Sequence, residues 1–323
     1  MSWFKIALPC VLAGWFVAAA SAQAQDYPAR PVKIISDSAP GSAPDVILRI
    51  VADRLTQSWG QQVLALNHPG AGGSIAARLA AASAPDGYTL YMPVSSAFVT
   101  LPGAAPNLPL EVPRDFAPIG LVGEQPMFLT VAPSTGIKTL AELIAAAKKR
   151  PGEISYASTG RGRMSHLTGE LLQSRADIKL LMVPYAGGPS QALNDLMGGR
   201  VHMLIEGGSA LAGAIQGGTL TPLAVGSNKR LPEFPDLPTA AETVPGFTAA
   251  GWIALAAPVG TPETVVRKVS EDLRKVLAEV EVRNRLAAIG SYVRPSTAAE
   301  ATAFIQAEQR MWNPLLEQLS RNQ

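Results

Sequence analysis

The chain of 323 residues contains a single cysteine and three histidines. That cysteine, Cys10, lies in an apolar stretch near the N-terminus, so the remainder has no disulfide framework and no thiol nucleophile. His68, His166 and His202 form no H-x-x-x-H pair, which argues against a zinc site. No G-x-S-x-G nucleophile elbow and no G-x-x-x-x-G-K-[ST] phosphate loop is present, and no cofactor is expected. Charged residues make up only 16% and nearly balance at +2, too weak a basic field for nucleic acid as the main partner. Beyond residue 24 no apolar run approaches the roughly 20 residues that span a bilayer.

Apolar residues, by contrast, make up 47% of the chain, enough to offset chain entropy and exclude a disordered protein. Glycine (29) and proline (27) are abundant without a three-residue period, which suits a loop-rich α/β chain rather than collagen. The length allows two domains. Lys5, the apolar run Ile6 to Ala20 and the sites Ala20-Ser21-Ala22 and Ala22-Gln23-Ala24 have the make-up of a secretory signal peptide. Removal of residues 1–24, with cleavage after Ala22 or Ala24, is expected.

Strands and helices alternate along the rest. Val32 to Ile35 reads as a strand, and residues 45–58 carry Val46, Ile47, Ile50, Val51 and Leu55 at helical spacing. Ser42-x-x-Asp45 before that run is a capping-box pattern with aspartate in place of glutamate. Strands at Gln62 to Leu66 and Tyr88 to Met92 flank a helix over 74–83, which implies a parallel sheet with right-handed crossovers. The pattern restarts at Met127 to Val131 and runs through strands at 154–158, 180–185, 201–206 and 220–225, with helices between them. Proline-rich residues 231–247 read as a linker. A strand at Gly251 to Ala256 and helices 263–278, 281–289 and 298–319 follow, with Pro314 expected to kink or end the last. Two α/β lobes result, joined near 126–133 and 247–258.

Several glycine- and serine-rich loops deliver backbone N–H groups to helix N-termini, which bind anions through unpaired amides and the helix dipole. The loops around Ser42 and Ser158–Gly162, one in each lobe, are placed to grip a carboxylate from both sides, or else simply connect elements. Gly70-Ala71-Gly72-Gly73 lacks the third glycine of a dinucleotide fingerprint, since Ile75 stands there, and Gly160-x-Gly162 has Ser165 at that place. Both read as tight turns.

At these residues the chain resembles the Bug-type solute-binding receptors of tripartite tricarboxylate transporters. The resemblance rests on Pro40-Gly41-x-x-x-Asp45, Trp59-Gly60-Gln61-Gln62-Val63, Pro69-Gly70-Ala71-Gly72-Gly73 and Pro85-Asp86-Gly87-Tyr88-Thr89-Leu90. It continues through Ile154-x-Tyr156-Ala157-Ser158, His166-Leu167, Val183-Pro184-Tyr185-x-Gly187, Pro235-Asp236-Leu237-Pro238-Thr239 and Ala257-Pro258-x-Gly260-Thr261-Pro262. It implies an α/β two-lobed periplasmic binding protein of the Venus-flytrap type, each lobe a mainly parallel sheet flanked by helices. Residues 25–127 and 251–323 form the first lobe and 128–250 the second. The implied function is capture of a small carboxylate (dicarboxylate, tricarboxylate, amino acid or aromatic acid) and delivery to a membrane permease, by a monomer without catalytic residues. An exported α/β hydrolase or transferase using the same cleft, and a receptor presenting ligand to a sensor, remain the alternatives.

Carried over by position, the ligand-binding residues are Ser38, Ser42, Ala43, Asp45, Ser95, Ser96 and Ala97 of the first lobe. The second supplies Ser158, Thr159, Gly160, Tyr185, Ala186, Gly187 and Glu206. Asp45 has a competing role as a helix cap, and Tyr185 a competing role in lobe packing. The chain departs from its relatives at Ser38, where they commonly have an aromatic, and at Ser42, where they have glycine. Asp37 adds a charge beside the site, and Arg161 and Arg163 stand in a loop where small neutral residues are usual. Either an arginine meets a second acid of the ligand, or Asp37 or Glu206 receives an ammonium or hydroxyl, or both arginines face solvent.

Overall fold

The computed structural model describes residues 27–70, 73–99, 114–185 and 188–321. The signal-peptide reading, Cys10, Ala186 and Gly187 lie outside these. Among the described residues no helix is long and apolar enough to cross a membrane.

A ten-stranded mixed sheet runs through the molecule in the order β2-β1-β3-β9-β4-β7-β5-β6, with β8 and β10 also on β4. In the first run β1 (Val32–Ser36) pairs in parallel with β2 (Val63–Asn67) and β3 (Thr89–Met92). In the second, β5 (Ser155–Ser158) pairs in parallel with β6 (Leu181–Pro184) and β7 (Met203–Gly207). The α/β class holds, and the two runs make the two lobes.

Between them lie two long antiparallel strands, β4 (Phe116–Val131) and β9 (Ala250–Pro258). β4 pairs with β9 from Phe116 to Pro126, then changes partners and pairs with β7 and β8 (Thr221–Val225) from Met127 onward. At the change the backbone forms a three-way relay. Met127 N–H donates to the Ala249 carbonyl (3.0 Å), Ala249 N–H to that of Gly226 (2.8 Å), and Gly226 N–H to that of Met127 (2.8 Å). A Cβ at Gly226 would lie 2.2 Å from the Ala249 carbonyl oxygen, so only glycine fits this crossing.

The first half of β4 is a strand that sequence patterning does not reveal. Pro118, Gly120, Gly123 and Pro126 interrupt it, and proline and glycine ordinarily argue against a central strand. The register shifts at Pro118/Gly120 and Leu121/Gly123 absorb the irregularity. Gly123 lets the Tyr292 carbonyl of β10 (Tyr292–Val293) approach, since a Cβ there would meet it at 3.0 Å.

Helix α1 (Ala43–Trp59) starts at Ser42 with proline in its first turn and ends at Gly60 in the left-handed region. Its apolar stripe buries Ile47, Leu48, Ile50, Val51 and Leu55 in a core shared with Leu273 and Val276 of the helix Glu263–Ala278. Full burial of each such side chain stabilises by about 2 kcal/mol. Residues 231–247 are not a linker: Leu231 and Leu237 join the core of the second lobe, and Ala240, Val244 and Phe247 a core that continues across the sheet. The C-terminal helix Ala298–Arg321 runs on through Pro314.

Candidate functional site

The parallel strands of both lobes end in loops at their carboxyl ends, where open α/β sheets bind their ligands. In the first lobe β1 ends at Ser36, whose hydroxyl lies 2.7 Å from that of Ser38 and accepts the Ser38 N–H at 3.2 Å. Asn67, at the end of β2, donates to the Ser38 carbonyl (3.1 Å) and to Asp45 Oδ1 (2.9 Å). Asp45 Oδ2 accepts from Gly41 N–H (2.8 Å) and from Arg49 Nε (3.0 Å), while Arg49 also reaches Asn67 Oδ1 (3.1 Å).

Burial raises the Asp45 carboxyl, but Arg49, Gly41 and Asn67 outweigh it and hold the group below the ordinary aspartate value. Asp45 is therefore the clamp of this loop, with both oxygens occupied. The expected capping box does not form. Ser42 caps without a side-chain bond to the helix and donates instead to the Ala39 carbonyl (2.7 Å), while Asp45 accepts from Gly41 N–H, the residue before the cap, rather than from that of Ser42. A complete box occurs at Thr139 and Glu142. Ala43 opens α1 and is half-buried; Ser95 and Ala97, on the short helix Ser95–Val99, are buried and Ser96 partly so.

Asp37 stands apart from that network. Its Oδ1 accepts Val94 N–H at 3.3 Å, and its Oδ2 lies where a Cβ on Gly73, at the start of the helix Ser74–Ala81, would come within 2.7 Å. Burial pushes the carboxyl up to about 6, against the pull of the Val94 amide, its own amide and the charge of Arg163.

In the second lobe the loop after β5 is built on hydroxyls and glycines. Ser165 Oγ sits 3.1 Å from Ser158 Oγ and 3.0 Å from Thr159 Oγ1, and accepts Thr159 N–H at 3.2 Å. Gly160 and Gly162 have φ of 138° and 73°, conformations that side-chain-bearing residues rarely adopt. His166 Nδ1 accepts Gly162 N–H at 3.2 Å, and burial keeps the ring below its usual value and neutral near pH 7. Ser158 is fully buried and its hydroxyl shapes this turn; Thr159 is half-buried.

Glu206, near the end of β7, completes the edge. Its Oε1 accepts the Gly207 N–H at 2.9 Å, while Oε2 is buried and has no hydrogen-bond partner. Burial pushes its carboxyl above the ordinary range, opposed by the Gly207 amide, the Thr159 side chain and the charge of Arg163. Arg163, the residue before the helix Met164–Ala176, thus acts on an acid of each lobe. Arg161 is felt instead at Tyr156 and His166.

Asp37 and Glu206 thus both feel the Arg163 charge, and Glu206 the Thr159 side chain. Tyr185 does not join them: it is buried in the core of the second lobe, and its hydroxyl donates to Asp195 at 2.8 Å. Asn67, Ser165 and His166 organise the two edges without having been singled out as ligand contacts. Asn67 directly follows a predicted strand and His166 stands in a stretch of the family resemblance, which are the signals that could have found them. Among the described residues no group of three or more His, Cys, Asp or Glu is placed to hold a metal.

The model of the tripartite tricarboxylate transporter family receptor matches residues 47–321. Protein BugT of Bordetella pertussis is 37% identical over 297 residues, covering 91% of this chain and 90% of that one. Among solved structures, R. palustris Rpa4515 with adipate superposes with a TM-score of 0.79 at 30% identity, over 90% of this chain and 98% of that one. MatC from Rhodopseudomonas palustris with bound malate gives 0.76 at 28% identity, over 90% and 100%.

Proposed function

The chain belongs to the tripartite tricarboxylate transporter receptor family, and on that premise we propose that it captures a small organic carboxylate between its lobes and hands it to a membrane permease. It is a solute-binding receptor of the carboxylate-binding kind, and its relatives are periplasmic binding proteins. We assign it to the periplasm as a monomer, with residues 1–24 removed, and with ligand released unchanged.

One observation carries the assignment of the site. Asp37, Thr159, Gly160 and Glu206 all stand at the carboxyl ends of parallel strands, where open α/β sheets bind ligands, and the Arg163 charge is felt by the acid of each lobe. Residues 25–127 with 251–323, and 128–250, move as two bodies about the β4 and β9 crossing. Closure is driven by ligand contacts that exist only when the edges meet. Thr159, Gly160, Arg163 and the 95–97 turn supply those contacts. Ser38, Ser42 and Asp45 shape the first edge from behind.

The test is a thermal-shift screen against small carboxylates, followed by calorimetry. A ligand that binds only the folded state at a hundredfold excess over Kd stabilises by about 2.7 kcal/mol. Thr159→Val is expected to weaken the best ligand about tenfold with unchanged circular dichroism. Unchanged affinity would place the site elsewhere, and turnover of the ligand would favour an enzyme.

A further inference from the structure

A second tie between the lobes lies beside the β4 and β9 crossing. β10 belongs to the first lobe, since Tyr292 and Val293 pair with Glu124 and Gly123, on the part of β4 that precedes its change of partners. The residues just before β10 reach past that change. A Cβ on Gly290 would stand 2.7 Å from the Ser209 amide nitrogen and 3.0 Å from the Gly208 carbonyl carbon. The Gly290 backbone therefore rests against the start of the helix Gly208–Gln216, in the second lobe, and its φ of 66° also favours glycine. Beside it the Tyr292 ring packs on the core of the second lobe, and its hydroxyl donates to Glu233 Oε2 at 2.8 Å. Glu233 is tied to that lobe through its neighbour Phe234, whose ring meets Phe128 edge-on at 5.3 Å.

The segment can leave this seat without breaking its own backbone bonds. The amides of Ile289, Gly290 and Ser291 donate to the carbonyls of Leu286, Ala287 and Leu286, at the end of the helix Val280–Ala287 in their own lobe. What lifting off forfeits is the apolar contact of the ring and the bond to Glu233. Burial and the Glu233 carboxylate both push the Tyr292 hydroxyl above the ordinary tyrosine value, so it stays a donor. One partner is anchored before the crossing and the other after it, so rotation of one lobe against the other alters this contact. The seat stands at the carboxyl end of β7, the side on which the ligand-binding loops lie, and is made as that side narrows.

Resting on the receptor reading above, we propose that residues 290–292 form a latch between the lobes, fastened by Tyr292 on Glu233, that favours the ligand-bound arrangement without touching the ligand. A contact present in one arrangement and absent in the other changes affinity in proportion to its bias on the equilibrium.

Stopped-flow kinetics and calorimetry with the best ligand of the carboxylate screen test this. Tyr292→Phe keeps the ring and removes the hydroxyl. It is expected to weaken binding about fivefold, through faster dissociation at an unchanged association rate. Glu233→Ala should do the same, and the double variant should be no weaker than the weaker single one, because both remove one bond. Glu233→Gln keeps an acceptor and should fall between wild type and Glu233→Ala. Losses that add in the double variant, tighter binding in either single variant, or a lower unfolding midpoint with unchanged affinity and dissociation rate overturns the latch and leaves the receptor reading standing. Indifference of affinity to both single variants does the same. A wild-type protein that binds no carboxylate at millimolar concentration overturns both.

Discussion

The two edges of the cleft contain buried acids of opposite character. Asp45 in the first lobe has both oxygens hydrogen-bonded and a carboxyl held below its ordinary value. Glu206 in the second has one oxygen unpartnered and a carboxyl pushed up by burial. Desolvation raises both, and donors oppose it at both, but only at Asp45 do they outweigh it. An acid surrounded by donors holds its loop in shape before any ligand arrives. An acid left short of donors keeps a raised carboxyl value and an oxygen without a hydrogen-bond partner. The Asp45 network is therefore a finished cradle, whereas Glu206 is left with one oxygen unpartnered.

The largest expected effect comes from dismantling the cradle. Asp45→Ala leaves the Gly41 amide, Asn67 and Arg49 without their acceptor, and should cost on the order of 3 kcal/mol, read as a lower urea midpoint at constant m-value. The wild-type contribution of Asp45 has a definite pH sign. Because its folded value lies below the unfolded one, the stabilisation is full above the unfolded value of 3.8 and is lost as pH falls through the folded value.

Asp37 tests the comparison from within the first lobe, because it behaves like Glu206 rather than like its neighbour. With a folded value of about 6 against 3.8 unfolded, ionisation penalises the folded state, and stability falls as pH rises from about 4 to about 6. Asp37→Asn keeps an acceptor for Val94 and removes that penalty. It should stabilise the unliganded protein by about 2 kcal/mol at pH 7.5 and by almost nothing at pH 4. A gain independent of pH would mean that the carboxyl is not the group being relieved.

Glu206→Gln should give the smallest change in the unliganded protein, a gain under about 1 kcal/mol at neutral pH, because an amide leaves the site still short of a partner. Its direction is the point. A loss comparable with that of Asp45→Ala would show that both edges are built alike and would remove the distinction between them.

Much of this organisation was legible in the residues. The strand–helix alternation, α1 with its stripe from Val46 to Leu55, and the loops after β1 and β5 follow from apolar spacing and from glycine and serine clusters. The crossing was legible only in its second half. Met127 to Val131 reads as a strand, but Pro118, Gly120 and Gly123 disguise the residues before it, because their fit depends on Ser296 and Tyr292 far along the chain. The 231–247 segment misled for a related reason: prolines space its apolar residues irregularly, and burial of Leu237 and Phe247 is a tertiary outcome. Asp37, Arg163 and Glu206 each stood out singly. That the charge of one guanidinium reaches both acids is a tertiary outcome that no local pattern announces.

The position of β9 has a consequence for the order in which the chain acquires its shape. Every strand of the second sheet run, from Met127 of β4 to Val225 of β8, comes from one uninterrupted stretch of sequence. The first run cannot close in this way, because β9 lies between β3 and β4 and arrives only with residues 250–258. Until then the edges of β3 and of the first half of β4 remain open, as unpaired backbone of the kind that invites misassociation. A chain emerging from its N-terminus can therefore assemble the Glu206 edge early, whereas the Asp45 edge waits for a late strand to be inserted beside it. Pulse-labelled hydrogen exchange during refolding should show β5 and β7 protected before β1 and β3.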